Sequence, residues 1–150
     1  MAQSLAKNII HLIYSTKNRT PYLGPTYREK LYAYQAGIFD QWDSPAILIG
    51  GVADHVHALF ALSKNHRLTR IVEEVKKGSS KWLKTVDKNL ASFHWQNGYG
   101  AFSVSQSNVT QVCRYIEAQQ EHHRKASFQE EYRIFLKRHG IEFDERYVWD

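Results

Sequence analysis

The triplet His55-Val56-His57 is preceded by Asp54 and followed by the apolar run Ala58-Leu59-Phe60. In a strand, residues i and i+2 point to the same side. Both imidazoles then leave one face of a sheet, and Val56 enters the core on the other. Two neutral imidazoles a few ångströms apart form half of a divalent-metal site. Two solvated histidines would show the same spacing, so the pair needs a further ligand from elsewhere. The run Val112-Cys113-Arg114-Tyr115-Ile116-Glu117-Ala118-Gln119 offers candidates. On a helix Tyr115 and Gln119 lie one turn apart, and Gln119 with His123 repeats that spacing. Val112 and Ile116 form the buried stripe, which puts Tyr115 at its border. His122 and His123 sit where a helix ends, and there they can answer the negative end of the dipole. His11, on an earlier strand, reads as structural.

The elements that must position these residues follow from periodicity. Residues 7–15 form a β-branched and aromatic stretch of strand length. Thr26-x-x-Glu29 has the form of a capping box. Behind it Tyr27, Leu31, Tyr34, Ile38 and Trp42 recur at helical steps. Strands are predicted over about 46–52 and 55–62, joined by a short turn. The next helix carries Leu68, Ile71, Val72, Val75, Ser79, Trp82 and Leu83 on one stripe, with Trp82 read as core. After the Gly98 and Gly100 turns comes a short strand over 101–105. A helix is predicted over about 108–123, and another opens at the capping box Ser127-x-x-Glu130 and stops at His139-Gly140. The order β-α-β-β-α-β with extra helices predicts an α+β, ferredoxin-like split βαβ sandwich. Its mainly antiparallel sheet carries additional C-terminal helices, and one face is expected to stay free for a ligand. The 150 residues are read as one domain over 1–150, with a C-terminal helix and tail over about 127–150.

Composition narrows the partners. The net charge is +5. Lys64, Arg67, Arg70, Lys76, Lys77, Lys81 and Lys84 cluster within twenty-one positions against Glu73 and Glu74 only. Such a patch suits a polyanion, and a solvated helix face would give the same pattern. The single Cys113 excludes an intramolecular disulfide and a Cys-rich zinc site. No apolar run reaches membrane-spanning length. These features predict a cytoplasmic protein.

Taken in order, the segments resemble the tyrosine-dependent HUH transposases of the insertion-sequence-200/605 type, including relatives associated with repetitive extragenic palindromes. HUH stands for His-hydrophobe-His. The resemblance rests on residues 11–17 (HLIYSTK), 51–57 (GVADHVH), 77–82 (KGSSKW), the stretch from Trp95 to Ser105, and Tyr115-Ile116-x-x-Gln119-x-x-His122-His123. It implies that Tyr115 is a nucleophile toward single-stranded DNA near a hairpin. It also implies that His55, His57 and Gln119 hold a divalent metal, Mg²⁺ or Mn²⁺. A 5′-phosphotyrosine and a free 3′-hydroxyl would form and then be rejoined. The family further implies a homodimer in which one subunit's tyrosine helix can complete the other's His pair. Lys76, Lys77, Lys81 and Lys84 are the candidate phosphate contacts. Two rival readings are a non-catalytic single-stranded nucleic-acid-binding module on the same frame and a metal-dependent hydrolase that activates water. The absence of a Walker-type phosphate loop agrees with chemistry that needs no ATP.

Overall fold

Alternation along β1 (Asn8–Ser15) decides the layering. Leu12 and Tyr14 enter one core, whereas Ile9, His11 and Ile13 point the other way. The computed structural model describes residues 2–123 and 125–150. After β1 come α1 (Arg28–Gln41), β2 (Ala46–Gly51), β3 (His55–Leu62), α2 (Leu68–Val86) and β4 (Gly100–Val104). Three further helices follow: α3 (Val109–Glu117), α4 (Gln119–His122) and α5 (Phe128–Arg138). The sheet order is β2-β3-β1-β4, with every pairing antiparallel. That is the split-βαβ order expected of a ferredoxin-like α+β sandwich. β1 and β3 are the central strands, and β3 carries the His pair.

On one face α1 and α2 bury Leu31, Ile38, Phe39, Ile71, Val75 and Leu83 against Leu12, Tyr14, Val56 and Phe60. A polar thread crosses this core. Gln35 donates to the Tyr14 hydroxyl at 2.7 Å, and Trp95 Nε1 donates to Ser79 Oγ at 3.1 Å. Burial without a polar partner for each of these groups would cost ~1–3 kcal/mol.

The second face differs from the expected open one. Ile116 of α3 packs on Ile9 and Leu59, and Phe128, Tyr132 and Leu136 of α5 pack on Ile13 and Phe102. The C-terminal helices are amphipathic and bury their apolar sides here, so they close this face.

Three further expectations change. Thr26 caps nothing: α1 starts one residue after Tyr27, which makes no side-chain cap. Tyr34 is exposed and stacks on Trp82, with ring centroids 5.3 Å apart, while Gln35 takes the buried place. The helix predicted over 108–123 is broken at Ala118 into α3 and α4. The capping box at Ser127 forms, and Gly140, with φ +65°, follows the end of α5.

Two glycines let these layers close up. A Cβ on Gly50 would sit 2.8 Å from Ile116 Cγ2, so α3 lies directly on β2 there. At Gly51 (φ +156°) a Cβ would collide with the His55 carbonyl oxygen across the tight β2–β3 turn. Gly51→Ala is therefore expected to destabilise the fold by about 2–4 kcal/mol, read from the urea midpoint. An unchanged midpoint would mean that the turn adjusts freely.

Candidate active site

The site is built on the second face. His55 and His57 are both completely buried, with ring centroids 5.2 Å apart. His57 lies opposite Ile13 in the β1–β3 register, so His11, two residues back on β1, is its diagonal neighbour. His11 Nε2 and His57 Nδ1 are 2.8 Å apart. The residue read as structural thus stands directly behind a candidate ligand and sets its ring orientation.

Hydrogen bonding dictates which nitrogens face the centre. Asp54 Oδ1 lies 2.7 Å from His55 Nδ1, so that nitrogen carries a proton and Nε2 is left as an acceptor in the neutral ring. His123 Nδ1 donates to the Ala126 carbonyl at 2.7 Å. Burial would lower this imidazole, but the Glu131 hydrogen bond and charge raise it above its usual range. Until a cation replaces it, a proton on Nε2 therefore donates as well. Gln119 Oε1 then sits 3.2 Å from His55 Nε2 and 2.9 Å from His123 Nε2. Its amide nitrogen is committed to the Tyr115 carbonyl at 3.2 Å. Glu131 adds its carboxylate, with Oε1 3.1 Å from His57 Nε2 and Oε2 3.2 Å from His123 Nε2. One ligand atom from each of His55, His57, His123 and Glu131 fits within 4.8 Å of the others. Acceptor facing acceptor in a dry site is relieved by a proton or by a cation. This mixed nitrogen–oxygen set therefore fits a divalent metal.

Tyr115 reaches the same spot from α3. Its hydroxyl donates a short hydrogen bond to Glu131 Oε2, and its ring meets that of His57 edge-on at 5.7 Å. The electrostatics are those of a closed site. Burial, the Glu131 hydrogen bond and the Glu131 charge together raise the Tyr115 phenol well above its usual range. Burial lowers His57 to about 4 despite the neighbouring carboxylate, and lowers His11 to about 3. Burial alone would raise the Glu131 carboxyl. Hydrogen bonds from His123, His57 and Tyr115 outweigh it and hold the group far below the carboxylate range.

The sequence model of the family described as "Transposase IS200 like" matches residues 4–119. The chain belongs to that family. Two solved structures share the fold of this IS200-like transposase. One is a protein from Deinococcus radiodurans R1 described as a candidate transposase, with 23% identity and a TM-score of 0.62. That match covers 79% of this chain and 98% of the other. The second is a REP-associated tyrosine transposase solved bound to a REP hairpin, with 15% identity and a TM-score of 0.60. It covers 82% of this chain and 73% of that one. A search of curated proteins returns no match.

In this transposase Tyr115, His55, His57 and Gln119 come together within one chain. The four lysines do not join them, because α2 packs on the opposite face of the sheet. Lys76 is already engaged. Its Nζ donates to the carbonyls of Gln96 (2.9 Å), Asn97 (3.4 Å) and Gly98 (2.6 Å) and lies 5.3 Å from the Tyr14 ring. Burial lowers it to about 8, while the carbonyls and the ring favour its charged form. Lys77 pairs with Glu74 at 3.3 Å, and Lys81 and Lys84 are exposed. A cleft of about 390 Å³ between α2 and the loop carrying Trp95 to Tyr99 lies beside Lys76 and Lys77.

Glu131 went unread in the sequence, and His123 ranked behind Gln119. A signal for Glu131 existed. It stands three residues after Phe128 and four before Phe135, a charge inside the apolar stripe of α5. Among the described residues no helix is long and apolar enough to cross a membrane.

Proposed function

We propose that this family member is a metal-dependent tyrosine transposase that cuts and rejoins single-stranded DNA near a hairpin through Tyr115. One observation carries the reading: the Tyr115 hydroxyl and the His57 imidazole meet on the same buried carboxylate. His55 and His57 would hold the cation, with Gln119, His123 and Glu131 completing the donor set. A bound Mg²⁺ or Mn²⁺ would neutralise charge on a non-bridging phosphate oxygen and polarise phosphorus as a Lewis acid. The imidazole share of the donors favours Mn²⁺ over the oxygen-seeking Mg²⁺.

The chain's own residues do the rest. Tyr115 Oη forms a bond to phosphorus as the P–O3′ bond breaks. This leaves a 5′-phosphotyrosine and a 3′-hydroxyl, with the phenol proton lost and one gained at the 3′-oxygen. A free phenol is only about one part in a thousand ionised at neutral pH, so attack requires that its proton be drawn away. A later 3′-hydroxyl reverses the step, and Tyr115 leaves with its proton restored. The bond energy is conserved in the phosphotyrosine, so no nucleotide is consumed.

Lys77, Lys81 and Lys84 would follow hairpin phosphates on the α2 face, remote from the scissile one, and Lys76 would hold the adjoining loop in shape. The REP-bound neighbour supports the hairpin reading. Because the nucleophile and the His pair sit in one chain, a homodimer would not be needed for cleavage itself.

The test is to incubate the protein with a hairpin-bearing single strand and Mn²⁺, trap the denaturation-resistant adduct and map it by mass spectrometry. DNA on the peptide containing Tyr115 is the expected result. Cleavage products free of protein would favour the hydrolase. No cleavage alongside tight binding would favour the binding module.

A further inference from the structure

β2 is an edge strand, so alternate backbone N–H and C=O groups along its outer side have no strand to pair with. A cleft of about 360 Å³ runs there, between Glu29 and Tyr32 of α1 and Glu117 and Gln120 beyond the sheet's other face. Its size falls in the range of about 300–1,000 Å³ usual for small-ligand sites. Gly50 and Gly51 leave one wall without side chains, so a flat ligand can lie directly on the backbone. Gln119 also lines the cleft, and its Oε1 is 3.2 Å from His55 Nε2. The cleft therefore adjoins the candidate metal ligands.

Its lining points to one class of occupant. Glu29 and Glu117 would repel a phosphate, so the backbone of a strand stays outside. Among the described residues neither carboxylate has a hydrogen bond or an ion pair, and both can accept from a ligand. The Tyr32 hydroxyl is shielded from water without a partner among those residues, a state that buried polar groups rarely keep. Tyr32, Leu48 and Ile116 add apolar surface for the faces of a ring. Adenine, cytosine and guanine each carry an exocyclic amine that a carboxylate can accept from. Thymine carries a carbonyl oxygen instead, and oxygen would face oxygen.

We propose that this cleft seats the base of the nucleotide beside the scissile phosphate and selects an amino-bearing base over thymine, with Glu29 and Glu117 as acceptors. The placement of the phosphate rests on the function proposed above. Because Gln119 is shared by the cleft and the His pair, a base held here directs its sugar and phosphate toward His55. Cleavage would then read one base directly, apart from any contact with the hairpin.

The test uses the full chain in EDTA and free deoxynucleosides, which carry no phosphate and cannot be cut. Amide resonances of isotope-labelled protein are followed as deoxycytidine, deoxyadenosine or thymidine is added. The amino-bearing nucleosides should move Gly50, Gly51 and Gln120 and bind about tenfold more tightly than thymidine, at the low end of what one base contact discriminates. Joining Glu29→Gln to Glu117→Gln should erase most of that difference. Both side chains are exposed, and the variant's own amide spectrum establishes that it is folded. Equal binding of thymidine, shifts that avoid the cleft, or a preference that survives in the double variant overturns the proposal. In a second arm, wild type cuts a hairpin-bearing strand with randomised flanks, and thymine should be depleted at one position beside the cut. Cut ends with no such depletion overturn it as well. The nucleoside arm involves neither metal nor cleavage, so its outcome is separate from whether Tyr115 forms an adduct.

Discussion

Replacing Tyr115 with phenylalanine should lower strand cleavage by about four orders of magnitude or more, the usual loss when a covalent nucleophile is removed. It should also eliminate the denaturation-resistant adduct. Only one oxygen is lost, and it sits at the end of a ring held by His57, His122 and Phe135 at 5.4–5.7 Å between centroids. The fold should therefore survive. Glu131 loses one donor and keeps its histidine partners. Hairpin affinity in EDTA should be unchanged, since the basic helix lies on the opposite face of the sheet. Single-turnover cleavage and an electrophoretic shift measure the two quantities. Undiminished cleavage by Tyr115→Phe would remove the phenol from the mechanism and return the problem to an activated water.

The second large effect is expected at His57. His57→Ala removes a fully buried imidazole that bridges His11 and Glu131. Mn²⁺ affinity should fall at least a hundredfold by calorimetry, because losing a direct ligand costs more than losing a residue that merely orients one. Metal-dependent cleavage should disappear with it. Hairpin binding should stay within roughly tenfold, since the basic helix lies on the opposite face of the sheet. The cavity and the stranded partners should cost about 2–4 kcal/mol of stability, so a melt must accompany the assay. Equal loss of cleavage and binding would make His57 a structural residue. Mixing this variant with Tyr115→Phe adds a further reading. With nucleophile and ligands in one chain, the mixture should stay inactive, whereas recovered cleavage would require exchange of α3 between subunits.

The legible parts of the site were those carried by local periodicity. Alternation across His55-Val56-His57 predicts two imidazoles on one face and a valine in the core, and Val56 is indeed fully buried. The Ser127 box and the Gly140 stop were readable because a helix end needs only the few residues around it. Thr26 shows the limit of such reasoning. The same pattern caps nothing there, because α1 begins after Tyr27, whose hydroxyl turns back to the Tyr22 carbonyl. The break at Ala118 was equally invisible, since Val112, Tyr115, Ile116 and Gln119 would fit an unbroken helix.

This sequence by itself determined the order of its strands and helices, the side to which each strand residue points, and the family to which it belongs. Those properties depend on backbone geometry repeated over a few residues and on motifs kept in order. Only the tertiary structure decided that Glu131 meets His57 from 74 positions away, that the ligand face is covered, and that Lys76 is spent on a loop while Lys81 and Lys84 are exposed. Each of these is a question of which surfaces dock. Docking is settled by the pooled burial of apolar side chains far apart in the chain, and no local spacing records it.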